Sequence, residues 1–158
     1  MPFIAEATIE KTAQELDQQP DNYEKLIQEL QALQPELMAY ILSEDTQFLT
    51  TEERDYFLYL SLVIIESARQ YQELAPIFSQ DISLAEDLNW EKLEAINAKT
   101  FRERLDPFFE NYPQEDLLAF VEDALIPDED SPISKEGREP LFIGLKTIID
   151  VVTKSEEE

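Results

Sequence analysis

The chain has 158 residues, and its 36 acidic and 12 basic side chains give a formal net charge of -24 at pH 7. A surface this acidic repels nucleic-acid phosphates and anionic lipids, so we expect no direct binding to nucleic acid and no binding to membranes. The chain contains neither cysteine nor histidine, which excludes disulfides, thiolate catalysis, imidazole metal ligands and every histidine-containing catalytic triad.

Composition also indicates the fold class. Hydrophobic residues make up 43% of the chain, which is enough for one core in a domain of this length. Only two glycines occur, and there is no Asn-Gly or Asp-Gly pair of the kind that favours tight hairpins. We therefore predict an all-α fold, in which about seven or eight helices form a compact single-domain bundle over residues 1–153, followed by an acidic tail at residues 154–158.

The amino-terminal residues bear on where the protein is found. Glu6 and Glu10 stand where a signal peptide would be apolar, and no basic residue precedes Lys11. The lack of cysteine is compatible with a reducing compartment. We therefore expect a cytoplasmic protein.

The first part of the chain predicts three helices. An outer helix with a weak apolar stripe covers residues 2–19 and is broken by Pro20. A second helix follows, with apolar residues at i, i+3, i+4 and i+7 from Tyr23 onward. Residues 36–42 are too densely apolar for a solvated element and predict a short third helix.

The longest predicted helix, at about residues 51–72, is the centre of the bundle. Residues 56–65 are all aliphatic or aromatic except Ser61, and Thr50 with Glu53 matches the capping box that begins a helix. The polar residues of this helix form one narrow stripe, so we expect neighbouring helices to cover most of its surface.

The next segment is predicted to be irregular at residues 77–81 before Ser83, which matches a second capping box with Glu86. A helix then extends to about Lys99. Asn89 offers an alternative N-cap, at which this segment would divide into two helices, so the continuity of the helix is left open.

The remaining helices are predicted at residues 100–111, from Pro113, and from Ser134 to about Thr153. Pro107 predicts a kink or break in the first of them, because the residue before a proline disfavours the α conformation. Aromatic residues are frequent here, and aliphatic residues alternate with them at helical intervals. Burial in the core is therefore favoured over an exposed partner surface for Trp90, Phe101, Phe108, Phe109 and Tyr112.

An acidic loop invites comparison with a calcium site. Asp128, Asp130 and Glu139 fall at positions 1, 3 and 12 of the EF-hand spacing. Pro132 and Ile133 occupy positions 5 and 6, where an oxygen ligand and a glycine are required. We therefore interpret the loop as solvated, and we predict no metal site and no cofactor.

The candidate binding residues are Tyr59, Glu66 and Arg69, which share the polar stripe of the central helix. If this stripe lined a cleft, a carboxylate with a raised pKa could act as an acid or base and Tyr59 could donate a hydrogen bond. The simpler interpretation is an i, i+3 ion pair between Glu66 and Arg69 on an exposed surface. We predict no catalytic residues.

Three functional hypotheses remain. The first is a non-enzymatic protein-interaction module with a protein partner of unknown identity, because the chain lacks histidine, cysteine and any glycine-rich phosphate loop. The second is an acidic mimic or inhibitor of a nucleic-acid-binding protein, which salt-dependent capture of basic proteins would favour. The third is an enzyme that relies on carboxylate, tyrosine and arginine side chains alone.

Overall fold

The computed structural model describes residues 1–43, 49–126 and 133–154. Over these ranges the chain is helical and contains no strand, which confirms the predicted all-α bundle. The eight helices of the described residues are α1 (Glu6–Gln18), α2 (Pro20–Leu33), α3 (Pro35–Ile41), α4 (Thr51–Arg69), α5 (Ser79–Ala95), α6 (Phe101–Phe109), α7 (Glu115–Leu125) and α8 (Arg138–Val152).

The central helix α4 begins at the predicted capping box. The backbone N–H of Thr50 donates to Glu53 Oε1 at 2.9 Å, and the backbone N–H of Glu53 donates to Thr50 Oγ1 at 3.1 Å. Residues 60–65 are all buried. The helix ends at Arg69, slightly before the predicted end at about residue 72.

Helix α8 shares the centre of the bundle with α4. It packs against α4, α5 and α7, while α4 also packs against α1 and α3. Every residue from 141 to 149 is buried. Because α8 has neighbours on several sides, Lys146 and Thr147 are buried together with the aliphatic residues.

Both glycines of the chain lie where α8 and the turn before it approach α4. A Cβ atom at Gly144 would lie 2.8 Å from Phe57 Cε2, and one at Gly137 would lie 2.0 Å from Glu53 Oε2. Glu53 Oε2 also accepts hydrogen bonds from the backbone N–H and the hydroxyl of Ser134, at 3.0 and 2.9 Å. Burial alone would raise the pKa of Glu53, but the hydrogen bonds from Thr50 and Ser134 outweigh it and hold the pKa below its usual value.

Helix α5 begins at Ser79, so the prediction of an irregular segment through residue 81 and a cap at Ser83 is wrong. The carboxylate of Glu86 instead accepts a hydrogen bond from the Tyr40 hydroxyl on α3. The helix also runs through Asn89 without a break and ends at Ala95, before the predicted end. Asn89 does not act as a cap because its side chain is buried and bonded to α8.

The proline in α6 does not break the helix where the sequence predicted a kink or break. Helix α6 continues through Pro107 and ends two residues later, at Phe109. A proline this close to a helix end removes only one late hydrogen bond. Phe108 is buried, whereas Trp90, Phe101, Phe109 and Tyr112 are partly buried against the core.

Other boundaries shift because tertiary contacts hold the flanking residues in extended or turn conformations. Helix α1 begins at Glu6, not at residue 2, and the backbone N–H of buried Ile4 donates to Gln114 Oε1 at 3.0 Å. Helix α7 begins at Glu115 and α8 at Arg138, each a few residues after the predicted start.

Parts of the acidic loop and the tail lie outside the described residues. These parts include Asp128, Asp130 and Pro132 of the calcium comparison and residues 155–158 of the predicted tail. Glu139 is described, in the first turn of α8, where its carboxylate pairs with Arg104 at 3.0 Å. Within the described ranges, no helix is both long and apolar enough to cross a membrane.

Candidate functional site

The three residues singled out from the sequence lie between helices. Arg69 Nη1 donates to Glu66 Oε1 at 2.6 Å, which is the i, i+3 pair considered above, and Arg69 Nη2 donates to Glu29 Oε1 of α2 at 3.0 Å. Tyr59 has a different partner, Asp17 of α1. Burial and then the hydrogen bond to Asp17 raise the pKa of Tyr59. The stripe thus joins α4 to α1 and α2, and its role in binding stays a prediction.

A separate cleft of about 560 Å³ opens between α5 and the carboxyl-terminal end of α8. Its volume falls in the range of roughly 300–1,000 Å³ that is typical of ligand sites. The segment between α6 and α7 and the amino-terminal residue Met1 complete its walls. The residues that line it are Met1, Asp81, Leu84, Ala85, Leu88, Asn89, Lys92, Tyr112, Pro113, Gln114, Lys146, Asp150, Val151, Thr153 and Lys154.

One face of α5 forms the longest wall of this cleft. Its lining residues run from Asp81 to Lys92 in the i, i+3, i+4, i+7, i+8, i+11 pattern, which places them on the same side of the helix. At 1.5 Å per residue this wall is about 16 Å long. The cleft is therefore an elongated groove with a continuous helical side.

The floor of the cleft is a buried polar network between α5, α8 and Tyr112. Lys146 Nζ donates to both carboxylate oxygens of Asp150, at 2.8 and 3.0 Å, and to Asn89 Oδ1 at 3.1 Å. Asn89 Nδ2 donates to Thr147 Oγ1 at 3.1 Å and to Asp150 Oδ2 at 3.0 Å. The Tyr112 hydroxyl donates to Asp150 Oδ1 at 2.6 Å. Lys146, Asp150 and Asn89 thus each have more than one hydrogen-bond partner.

Burial governs the protonation of this network. Desolvation lowers the pKa of Lys146, nearby Asp150 opposes that shift, and the positive charge of Lys92 adds to it. Burial, followed by the charge of Asp150, raises the pKa of Tyr112, so its hydroxyl stays protonated and donates. The ammonium of Lys146 also lies 4.5 Å from the centre of the Tyr112 ring, a favourable cation–π distance.

The rim of the cleft combines apolar and cationic side chains. The side chains of Leu84 and Leu88, on the face of α5 that lines the cleft, are 61% and 58% exposed. Lys92 lies at the end of the same wall, with its ammonium 5.1 Å from the centre of the Phe108 ring, and Lys154 is exposed beside α8. The described lining residues include three lysines and two aspartates, in a chain whose formal net charge is -24.

Sequence reasoning missed the residues of this network. The available signal was a lysine and an aspartate four positions apart, Lys146 and Asp150, within a helix that is otherwise almost entirely apolar. Asn89 was considered only as a helix cap. Its partners on α8 lie 57 to 61 residues away in the chain, beyond the reach of any local pattern.

No protein-family model, no curated protein and no solved structure matches this chain at a significant level. Among the described residues, no group of three or more acidic side chains is placed to hold a metal ion.

Proposed function

We propose that this chain is a non-enzymatic binding module that takes an apolar segment of a partner protein into the cleft between α5 and α8. The observation that supports this most strongly is the pair of leucines, Leu84 and Leu88, exposed side by side on the wall of a preformed cleft. Leucines at i and i+4 present one continuous apolar surface, and such surfaces are common anchors for partner helices and extended segments.

The shape of the cleft favours a peptide segment over a small molecule. Sites for small molecules usually bury roughly 70–90% of the ligand surface. Here the wall is about 16 Å long and its leucines remain more than half exposed, so a longer ligand is needed to cover them. Two or three turns of a partner helix match that length.

The floor of the cleft favours binding over catalysis. Lys146 and Asp150 bond to each other, and Asn89 and Tyr112 occupy further hydrogen-bonding positions of the pair. General acid–base catalysis needs a group that can reach the substrate's proton, and nucleophilic catalysis by a lysine needs its free amine. A network that is already satisfied instead gives the cleft a fixed shape.

A peptide selection tests this proposal with a defined probe. Purified protein is used to select from a random-peptide phage library, and the selected peptides are synthesised and titrated against Leu84→Ser/Leu88→Ser. Full burial of one leucine contributes about 1.5–3 kcal/mol, so the double variant is expected to weaken binding at least about tenfold. The matched control is Leu33→Ser/Leu42→Ser, which alters two other leucines, 52% and 45% exposed.

Two outcomes contradict the proposal. One is a selection that enriches no peptide above the unselected library. The other is a peptide that binds the cleft variant as tightly as the control variant, because its binding would then not depend on the α5 leucines. Thermal melts of both variants establish that each remains folded.

A further inference from the structure

A second, smaller cavity lies where α3, α4, α5 and α8 meet. Its volume is about 170 Å³, and three aromatic residues from three different helices line it: Tyr40, Phe57 and Trp90. The backbone at Gly144 forms another part of the lining, with Phe57 Cε2 2.8 Å and the Tyr40 hydroxyl 3.7 Å from the position of a Cβ atom. A side chain at residue 144 would therefore intrude on the aromatic rings.

The cavity combines this aromatic lining with one negative charge. Glu86 is the single charged residue among the described residues that line it, and its carboxylate accepts a hydrogen bond from the Tyr40 hydroxyl. Burial and then the bond to Glu86 raise the pKa of Tyr40, so the hydroxyl keeps its proton and remains a donor. The described lining of the cavity therefore contains a carboxylate and no cationic side chain.

We propose that this cavity binds a methylated ammonium group, with Glu86 as its counter-ion and Tyr40, Phe57 and Trp90 as its aromatic walls. Aromatic rings attract cations through their quadrupoles, and rings grouped around a pocket are the usual means of recognising quaternary ammonium groups. An apolar cavity of about 150 Å³ in another protein holds benzene, so this cavity has room for a trimethylammonium group.

The charge of the whole chain supports the same class of ligand. With a formal net charge of -24, the protein attracts cations over distances longer than the cavity itself. A methylated ammonium has a weaker hydration shell than a primary ammonium and loses less by entering an apolar cavity, because its methyl groups are themselves apolar. Charge selects a cation, and the lining selects one covered by methyl groups.

The chain provides its own reporter for a test, because Trp90 is its only tryptophan. Tryptophan fluorescence is followed while the protein is titrated with choline at constant ionic strength, maintained with sodium chloride. The comparison ligand is the neutral alcohol in which a tert-butyl group replaces the trimethylammonium group of choline, so that carbon stands in place of the quaternary nitrogen. We expect a saturable change with choline, and binding of the neutral analogue that is about tenfold weaker or more.

A pair of matched variants separates a bound cation from general charge attraction. Glu86→Gln and Asp87→Asn each remove one negative charge from neighbouring positions on α5, but only Glu86 lines the cavity. We expect the affinity for choline to fall about tenfold in Glu86→Gln and to stay within about twofold of the wild type in Asp87→Asn.

A further titration uses acetylated trimethyllysine in place of choline. Whichever of the two ligands binds more tightly shows whether the methylated ammonium group comes from a modified protein side chain or from a free metabolite.

Three outcomes overturn the proposal. The first is the absence of a saturable response to choline and to trimethyllysine. The second is equal binding of choline and its neutral analogue, which would show an apolar cavity without selectivity for charge. The third is an equal loss of affinity in Glu86→Gln and Asp87→Asn. Because the wild-type comparison of choline with its analogue needs no variant, the proposal can fail even if a substitution unfolds the protein.

Discussion

Two clusters of opposite charges differ chiefly in what surrounds them. On α4, the side chains of Arg69 and Glu66 are 26% and 27% exposed, and Glu29, which completes the cluster, is 54% exposed. On α8, the side chains of Lys146 and Asp150 are 9% and 25% exposed. The difference lies in Glu29, which leaves the first cluster open to water, and in Lys146, which is nearly enclosed and bonded to Asn89 and Asp150. Two opposite charges within one turn of a helix, at i, i+3 in α4 and at i, i+4 in α8, therefore carry a small free energy in the first place and a larger one in the second.

Among the variants considered, Asp150→Asn should lose the most unfolding free energy, because it leaves the ammonium of Lys146 buried without its counter-ion. Breaking one side of a buried pair costs about 3–5 kcal/mol of unfolding free energy. Urea denaturation is the measurement, and Glu66→Gln on the partly exposed stripe of α4 is the control, for which we expect a loss of unfolding free energy below about 1 kcal/mol. Equal losses in the two variants would show that burial does not distinguish the clusters.

The double variant Lys146→Met/Asp150→Leu sharpens that result. Apolar residues of similar volume often replace a buried ion pair at little cost, so we expect it to be more stable than Asp150→Asn. A double variant as unstable as the single one would mean that the hydrogen bonds to Asn89 and Tyr112, and not the unpaired charge, account for the loss.

Gly144→Ala should be destabilising by about 1–3 kcal/mol, because the added methyl group overlaps Phe57 where α8 and α4 approach each other. The sign of this change in stability is informative. Alanine for glycine within a helix is ordinarily stabilising by roughly 0.5–1 kcal/mol, as it would be on an exposed face. Calorimetric melting that shows a gain in stability would indicate that the two helices can separate to accept the methyl group.

Glu53→Gln should change how stability depends on pH. The pKa of Glu53 lies below its ordinary value near 4.5 in the folded chain, so its contribution is present above that value and is lost as pH falls through the lowered pKa. We expect Glu53→Gln to be less stable than wild type by about 1–2 kcal/mol at neutral pH, with the difference shrinking in acid. Denaturation series between neutral and acidic pH, with Glu66→Gln as the same chemical change on the exposed stripe, test this. A difference that does not vary with pH would contradict the assigned role of its hydrogen bonds.

The smallest expected effect is the coupling free energy between Glu66 and Arg69 on α4. A double-mutant cycle with Glu66→Gln and Arg69→Met should give a coupling free energy of about 0.3–0.5 kcal/mol at low salt, falling toward zero at high salt. The pair Lys146 and Asp150 should keep more of its coupling under the same change, because Lys146 is only 9% exposed and is screened less. A coupling above about 1.5 kcal/mol for Glu66 and Arg69 would place this pair with the buried one instead.

Local rules predicted the parts of the fold that depend on nearby residues. Thr50 and Glu53 form their capping box because both partners are three residues apart. Ser83 and Glu86 have the same spacing but do not cap a helix, because α5 already begins at Ser79 and Glu86 is bonded to Tyr40, 46 positions away in the chain. The same limit applies to the candidate site. Asparagine is a residue type that often caps helices, which is why Asn89 was considered as a cap. Its actual partners on α8 become its neighbours only after folding.

The position of α8 in the chain has a consequence for synthesis on the ribosome. Residues 60–65 of α4 are translated long before residues 141–149, which cover them in the folded protein. Until α8 leaves the exit tunnel, the nascent chain exposes the apolar surface of α4, and such surfaces recruit chaperones or promote aggregation. A premature stop codon between α7 and α8 should therefore yield an insoluble product, even though seven of the eight helices of the described residues would have been made.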